Sequence, residues 1–443
     1  MGVQKKFTSK TRSSSTFILV ALCFALFTDT FIYGIIVPIL PFLLMGPDNM
    51  ALRDVQKWSS MLLASYGGAL LLGSLVVGYF CDKYRARKAP LVCGLIAMAL
   101  ATVLFISASN VWVLLLARVF QGFSGAVVGV LGLSMIAETA SPEHLGSHMA
   151  CGSAALTWGM LCGPMAGGFL FSKFGTIGAF GVPIVLLVVD ICLRMLIVQE
   201  DEDETKINQH EDSPLLENDI SDETVLSFYH FLHPIMLGVI FCVFAISSIL
   251  SAFETTLPLY VLDTYHWSSL GAGLVFLPMT IPSVLSISIA HFVRHFSPRA
   301  VVVTGFFVMA VPMVSMRWTQ ANTIQHEIAL VSLLFVVGVC LTTVQAIIMG
   351  DVSNAVRRIE SLHGITEEKS SGQGRGYALC NMAFAAGQTL GPMAGGFIKR
   401  ELGWGFMTLV LGILCLVAGL SSFFFMSAAP PKIEKGKANE NDC

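Results

Sequence analysis

Three charged side chains, Asp29, Arg118 and Glu254, lie inside long apolar stretches of the sequence. On insertion scales, a charged residue at the centre of a membrane helix costs about 2.5–3.5 kcal/mol, so such residues usually face a water-filled cavity or a partner. A carboxyl group that is shielded from water binds a proton more readily, and a neighbouring positive charge opposes that binding. The three residues therefore have the chemistry needed to exchange a proton for a cation.

Two interpretations of Asp29 are open at this point. In the first, Asp29 or Glu254 faces a central cavity and binds proton and substrate in turn, which would make their exchange obligatory. Arg118 would then tune that carboxyl group. In the second, Asp29 and Arg118 form a fixed ion pair that only holds two helices together.

The elements that carry these charges are predicted to be membrane helices. The 443 residues are 55% hydrophobic and 12% charged, whereas soluble domains have about 25% charged residues. About 20 apolar residues in a helix cross the hydrocarbon layer, and runs without strict alternation exclude a β-barrel. The sequence predicts an all-α integral membrane protein with twelve transmembrane helices. Spans 1 to 12 cover residues 17–45, 58–80, 89–107, 111–137, 148–171, 177–198, 231–256, 269–292, 299–318, 326–350, 375–398 and 404–427.

Basic residues predict the orientation of these helices. Most Lys and Arg residues lie in the two tails and in the connections that follow even-numbered spans, so both termini are expected to be cytoplasmic. The acidic stretch 200–224 predicts a flexible cytoplasmic linker. The predicted organisation is an N-terminal tail (1–16), a six-helix half (17–199), the linker (200–230), a second half (231–427) and a C-terminal tail (428–443).

The two halves share a sequence. GPMAGGF occurs at 163–169 in span 5 and again at 391–397 in span 11. Its recurrence at equivalent places indicates internal duplication, and therefore two pseudo-symmetric halves, with a chance packing motif as the alternative. Small residues at this spacing let helix backbones approach closely, and the proline permits a kink.

Several motifs together resemble the major facilitator superfamily, in particular its twelve-helix drug:proton antiporters. They are GMLCGPMAGG in span 5, LLLARVFQGFSGA in span 4 and GYFCDKYRARK after span 2. The last departs from the family pattern at Arg85 and Ala86, so we expect Arg87 and Lys88 to make the gating contacts. The gating and packing residues implied by the resemblance are Gly78, Asp82, Arg87, Lys88, Gly122, Gly125, Gly159, Gly163, Pro164, Gly167, Gly168, Gly391, Pro392, Gly395 and Gly396.

Within that superfamily the chain is most similar to vesicular amine transporters. DTFIYGIIVPILP in span 1 and AFETTLPLYV in span 7 match their pattern, with Asp29 and Glu254 at the acidic positions. Tyr66, Thr342 and Asn381 are neutral where those transporters carry charges. The resemblance therefore does not predict a monoamine transporter.

The resemblance implies a secondary active transporter that works by alternating access. The favoured mode is proton-coupled antiport of small organic, cationic or amphiphilic compounds, by efflux or by sequestration. A proton-coupled symporter or facilitator that imports a metabolite, and a non-transporting sensor, are the alternatives. Candidate cavity residues are Tyr33, Tyr66, Gln121, Trp158, Thr342, Gln345 and Asn381.

Other expectations concern partners and location. The sequence has no P-loop, catalytic triad or metal constellation, which argues against an ATP-driven pump or an enzyme. We expect no cofactor beyond a proton gradient, and a monomer that contacts the lipid bilayer and a small organic substrate but no nucleic acid. EDSPLL, with Glu211, Leu215 and Leu216, fits an acidic dileucine sorting signal. A functional signal would place the protein in a vacuolar or vesicular membrane, and its absence would place it in the plasma membrane.

Overall fold

The computed structural model shows a helical bundle. It describes residues 15–45, 50–83, 88–108, 110–139, 145–196, 233–285, 288–289, 292, 296–363 and 373–426. In this part of the chain a helix lies at each of the twelve predicted spans, which confirms the all-α membrane fold. In order of spans, the helices are Ser15–Leu44, Leu52–Lys83, Lys88–Ser107, Val111–Thr139, Leu145–Leu196 (spans 5 and 6), Pro234–Tyr265, Ser269–Leu274 with Leu277–Val284 (span 8), Pro298–Ser315, Ile324–Leu362, Gln373–Leu402 and Trp404–Phe425.

Length and composition support membrane insertion of most of these helices. Eight helices of the described chain are long and apolar enough to cross a membrane, and one of them contains both span 5 and span 6. Val92–Ser107 and Ser269–Val284 are apolar but shorter. Span 11 is not among the eight, because polar and small residues replace much of its apolar surface where it packs against other helices.

Two local features depart from simple straight spans. The helices of spans 5 and 6 follow each other without a loop, and the chain reverses direction between them at Gly175. The φ of 62° at Gly175 lies in the left-handed region that glycine adopts without steric cost. Span 8 is broken between Leu274 and Leu277. Pro278 has no backbone N–H to donate to the carbonyl one turn earlier, which explains the break.

The repeated glycines pack equivalent helices together in the two halves. A Cβ on Gly163 of span 5 would lie 2.7 Å from the carbonyl oxygen of Phe31 in span 1. A Cβ on Gly387 of span 11 would lie 2.7 Å from the carbonyl oxygen of Phe244 in span 7. Within each half these contacts advance together along both chains, so the paired helices run parallel. The glycines involved are Gly159, Gly163 and Gly167 against span 1, and Gly387, Gly391 and Gly395 against span 7.

Two seams join the halves. Span 2 packs against span 11, where a Cβ on Gly67 would lie 2.6 Å from the carbonyl carbon of Gln388. Span 5 packs against span 8, where the hydroxyl of Ser269 donates to the carbonyl of Gly168 at 3.2 Å. A Cβ on Gly168 would also meet the carbonyl oxygen of Ser269, so at Gly67 and at Gly168 the two backbones are too close for a larger side chain.

Polar contacts close one end of the first seam. The Lys399 ammonium donates to Gln56 Oε1 at 3.0 Å and to the carbonyl of Thr256 at 2.8 Å. Arg53 forms an ion pair with Glu401 beside them. Span 2 begins and span 11 ends here, so in the predicted orientation this is the non-cytoplasmic end of the bundle. The halves are therefore joined at that end in this structure.

Candidate functional site

Span 4 places Arg118 in an aromatic cage. The side chain is fully buried, and its Nη1 donates to Gln121 Oε1, one helical turn further on, at 2.8 Å. The guanidinium carbon lies 5.6 Å from the ring centre of Tyr33, 5.9 Å from that of Tyr66 and 5.6 Å from that of Phe105. These distances suit cation–π attraction. The Nε and Nη2 atoms of Arg118 have no hydrogen-bond partner, so the guanidinium has two nitrogens available to donate to another group.

Glu254 is joined to this cage across the two halves. The Tyr33 hydroxyl of span 1 donates to Glu254 Oε2 of span 7 at 2.5 Å, and both side chains are buried. The Tyr33 and Tyr66 rings lie with their centres 4.5 Å apart. We call Tyr33, Tyr66, Arg118, Gln121 and Glu254 the central polar cluster. It combines one carboxyl group, one guanidinium and two phenols at the contact between the halves.

Asp29 lies beside the central polar cluster but has different neighbours. It is 8% exposed, and its Oδ1 has no hydrogen-bond partner. A Cβ on Gly125 of span 4 would lie 3.4 Å from both carboxylate oxygens and 3.0 Å from the Tyr66 hydroxyl. Glycine at this position therefore makes room for the carboxyl group and the phenol together.

Arg118 is not the ionic partner of Asp29. Among the described residues no ion pair or hydrogen bond joins them, and Arg118 instead acts electrostatically on Glu254. Within the described part of the chain, the charged side chains with the strongest electrostatic effect on Asp29 are Arg194 and then Asp190, both in span 6. The structure therefore contradicts the interpretation in which Asp29 and Arg118 form a fixed pair.

Four other residues, Trp158, Thr342, Gln345 and Asn381, are predicted to line the cavity. Thr342 is buried, whereas Trp158, Gln345 and Asn381 are exposed. No described hydrogen bond links any of these four to the central polar cluster. Their assignment to a substrate cavity stays a prediction.

The predicted gating and sorting residues are described only in part. Among the described residues, no heavy atom lies within 4 Å of where a Cβ on Gly78 would stand, so the role predicted for this glycine stays a prediction. Arg87 and the side chains of Asp82 and Lys88 lie outside the described residues, as do Glu211, Leu215 and Leu216. Among the described residues, no group of three or more His, Cys, Asp or Glu side chains could hold a metal ion.

Two basic residues were missed by sequence reasoning. Arg194 is buried and forms an ion pair with Asp190, four residues earlier in the same helix. That spacing places the two residues on one helix face and could have indicated the pair. Lys399 follows the predicted end of span 11 at residue 398, but the helix continues to Leu402 and the lysine donates to Gln56 of span 2.

Comparisons with known proteins agree with this architecture. Residues 22–367 match the family model of the Major Facilitator Superfamily. An uncharacterized MFS-type transporter of Schizosaccharomyces pombe, C18.02, is 29% identical over 93% of this chain and 96% of its own length. The synaptic vesicular amine transporter of Mus musculus is 26% identical over 85% of this chain and 67% of its own length. The inward-open structure of the xylose transporter XylE from E. coli has a TM-score of 0.68 at 17% identity, covering 94% of this chain and 97% of that one. The chain belongs to the Major Facilitator Superfamily.

Proposed function

We propose that this protein is a proton-coupled antiporter that moves small organic compounds, cationic or amphiphilic, across a membrane. The observation that carries this proposal is the buried hydrogen bond between Tyr33 and Glu254, which joins the two halves through an ionisable group. Asp29 supplies a second carboxyl group nearby, with one oxygen unpartnered. The proton gradient is the energy source, and no cofactor or enzymatic step is proposed.

Competition between proton and substrate for these carboxyl groups would couple proton flux to substrate flux. Desolvation favours a neutral carboxyl group, so each site holds either a proton or a cationic substrate group when it is closed from water. A substrate cation that binds Glu254 competes with the Tyr33 hydroxyl for the same carboxylate. Loss of that hydrogen bond releases a contact between the halves, and the bundle can then open to the other side.

The proposed direction and location follow from topology. With both termini in the cytoplasm, proton uptake from the outside or the lumen would drive export or sequestration. The vesicular amine transporter relative supports a vesicular or vacuolar membrane, and the plasma membrane is the alternative. Tyr66, Thr342 and Asn381 are uncharged, and for this reason we do not propose a monoamine as the substrate. We propose that the protein acts as a monomer and has no nucleic acid partner.

Import by proton symport is a second candidate. It is favoured by Arg118, whose Nε and Nη2 donate no hydrogen bond in the structure. Such donors suit a substrate that carries an anionic or carbonyl group, which a metabolite would supply. A non-transporting sensor on the same fold would use these groups for binding alone.

Proton movement distinguishes these candidates. Purified protein is placed in liposomes with an acidic interior, and compounds from cationic, zwitterionic and anionic classes are added outside. Antiport predicts that a cationic compound releases protons from the liposomes while it accumulates inside. Symport predicts compound and proton movement in the same direction, and a sensor predicts binding without either flux.

A further inference from the structure

Span 6 contains a buried ion pair that the proposed exchange does not yet use. Arg194 donates from Nε to Asp190 Oδ1 at 3.2 Å and from Nη2 to Asp190 Oδ2 at 3.3 Å. Both side chains are almost fully shielded from solvent. The remaining terminal nitrogen of Arg194, Nη1, is buried and has no hydrogen-bond partner. Leaving a buried charged donor without an acceptor is costly, so an acceptor for Nη1 is to be expected in another state.

The helix directions bring this pair to the level of Asp29. Span 5 runs parallel to span 1, and the chain reverses at Gly175, so span 6 runs antiparallel to span 1. Ile32 of span 1 and Leu187 of span 6 belong to the same buried apolar cluster. Asp29 lies one turn before Ile32, and Asp190 lies one turn after Leu187. In antiparallel helices these two turns lie on the same side of the apolar cluster.

The direction of the arginine side chain adds to this match. Long side chains in a helix lean toward the helix N-terminus. Arg194 is one turn beyond Asp190, so its guanidinium extends back to the level of Asp190 and Asp29. Among the charged side chains that the structure describes, Arg194 also has the strongest electrostatic effect on Asp29. The unpartnered Oδ1 of Asp29 is the kind of acceptor that the unpartnered Nη1 of Arg194 lacks.

We infer that Arg194 is a positioning residue that is shared between two carboxylates. It pairs with Asp29 when that carboxyl group is charged and empty, and Asp190 alone holds it when Asp29 carries a proton or a substrate cation. Within the proposed function, on which this inference rests, the shared arginine stabilises the charged, empty Asp29 between the release of one cation and the binding of the next. Binding of either a proton or a substrate cation to Asp29 then releases Arg194 from Asp29.

Other charged and titratable groups on the helices around Asp29 have separate partners. Arg118 of span 4 donates to Gln121, and Glu254 of span 7 accepts from Tyr33. Tyr66 of span 2 stacks on Tyr33 and interacts electrostatically with Asp29. Arg194 is therefore the cation to test, and Arg118 is the matched buried arginine for comparison.

Infrared difference spectroscopy can test the pairing without any transport. The carboxyl C=O band of Asp29 in lipid-reconstituted protein is assigned by its disappearance in Asp29→Asn, and its intensity is followed against pH. To avoid an orphaned Asp190, the arginine is removed in the double variant Asp190→Asn/Arg194→Gln and compared with Asp190→Asn alone. We expect the pH midpoint of the Asp29 band to be at least one unit higher in the double variant, which is a tenfold change in proton affinity.

Controls separate electrostatic coupling from a structural role. Asp190→Asn/Arg194→Lys, which keeps the charge, should bring the Asp29 midpoint most of the way back to that of Asp190→Asn. Arg118→Gln should move the Asp29 midpoint by less than half as much as removal of Arg194. Equal midpoints with and without the arginine would overturn the inference and leave Asp190 and Arg194 as a packing pair. If the double variant does not fold, the comparison of Asp190→Asn with wild type tests the pairing instead. Asp190→Asn frees Arg194 for Asp29 and should lower the midpoint below that of wild type, whereas an unchanged midpoint would refute the pairing.

The infrared result and the transport result are independent. A shifted midpoint in a protein that moves no protons with any compound would support the arginine pair and reject antiport. Unshifted midpoints in a protein with substrate-driven proton release would reject the pair and leave antiport intact.

Discussion

Two adjacent glycines in span 2 give a sharp test of the seam between the halves. A Cβ on Gly67 would lie 2.6 Å from the carbonyl carbon of Gln388 and 2.7 Å from the backbone nitrogen of Thr389. Ordinary contact begins near 3.4 Å, so Gly67→Ala requires the two backbones to separate by about 0.8 Å. Overpacking of this kind typically costs about 1–3 kcal/mol. The substitution acts on the state in which spans 2 and 11 touch, so the population should move five- to 150-fold toward a state in which this seam is open.

The neighbouring substitution is the matched control. A Cβ on Gly68 would meet only the methyl group of Thr389, at 3.8 Å. Gly68→Ala should therefore leave the seam closed and stabilise the helix by about 0.5–1 kcal/mol. The two variants differ by one position in the same helix and by nothing in composition.

Spin labels can report the separation of the halves. Cysteines introduced at the exposed positions Lys57 and Leu402, in a background without native cysteines, place one label on each side of the seam. Pulsed electron resonance should show a longer distance in Gly67→Ala and the wild-type distance in Gly68→Ala. Identical distributions for the two variants would refute the reasoning that backbone contact at Gly67 holds this end closed.

Two further predictions concern the central polar cluster. Tyr33→Phe removes the donor to Glu254 and leaves a buried carboxyl oxygen unpaired. Thermal unfolding should therefore show a free energy of unfolding lower by about 1–3 kcal/mol, and proton flux should become less tightly coupled to substrate. Unchanged stability and coupling would show that the contact between the halves does not depend on this bond. Gly125→Ala adds a methyl group 3.0 Å from the Tyr66 hydroxyl and 3.4 Å from Asp29, whereas Gly129→Ala adds one in open space. Flux should fall in the first variant and remain at wild-type level in the second, and equal flux would contradict a role for the space at Gly125.

Much of the fold could be predicted because it depends on properties that lie along the chain. Apolar run length locates the twelve helices, and the duplicated GPMAGGF predicts that two equivalent helices pack closely. The structure confirms that packing: backbone of span 1 faces Gly163, and the Ser248 backbone together with the Ser251 hydroxyl of span 7 faces Gly391. The reversal at Gly175 and the break before Pro278 depend on single residues, which run length does not register.

The residues that form the site could be predicted better than the contacts between them. Asp29, Arg118 and Glu254 were identified from the energetic cost of charge in an apolar helix, and all three are buried near the contact between the halves. Which of them pair depends on helix rotation, and one residue along a helix turns the side chain by about 100°. The sequence therefore could not show that Arg118 lies among the Tyr33, Tyr66 and Phe105 rings. It also could not show that Asp29 makes no ion pair with Arg118 among the described residues. Lys399 lies just beyond the predicted end of span 11, whereas the helix continues to Leu402 and the lysine contacts Gln56 of span 2.

The central claim is that Asp29 carries the proton that is exchanged for substrate. The most direct measurement is substrate-dependent proton efflux from inside-acid liposomes, for wild type and for Asp29→Asn at equal amounts of folded protein. The account predicts that an organic cation releases protons from wild-type liposomes and that the Asn variant loses this release while it still unfolds cooperatively on heating. Equal proton release by both proteins would contradict the claim.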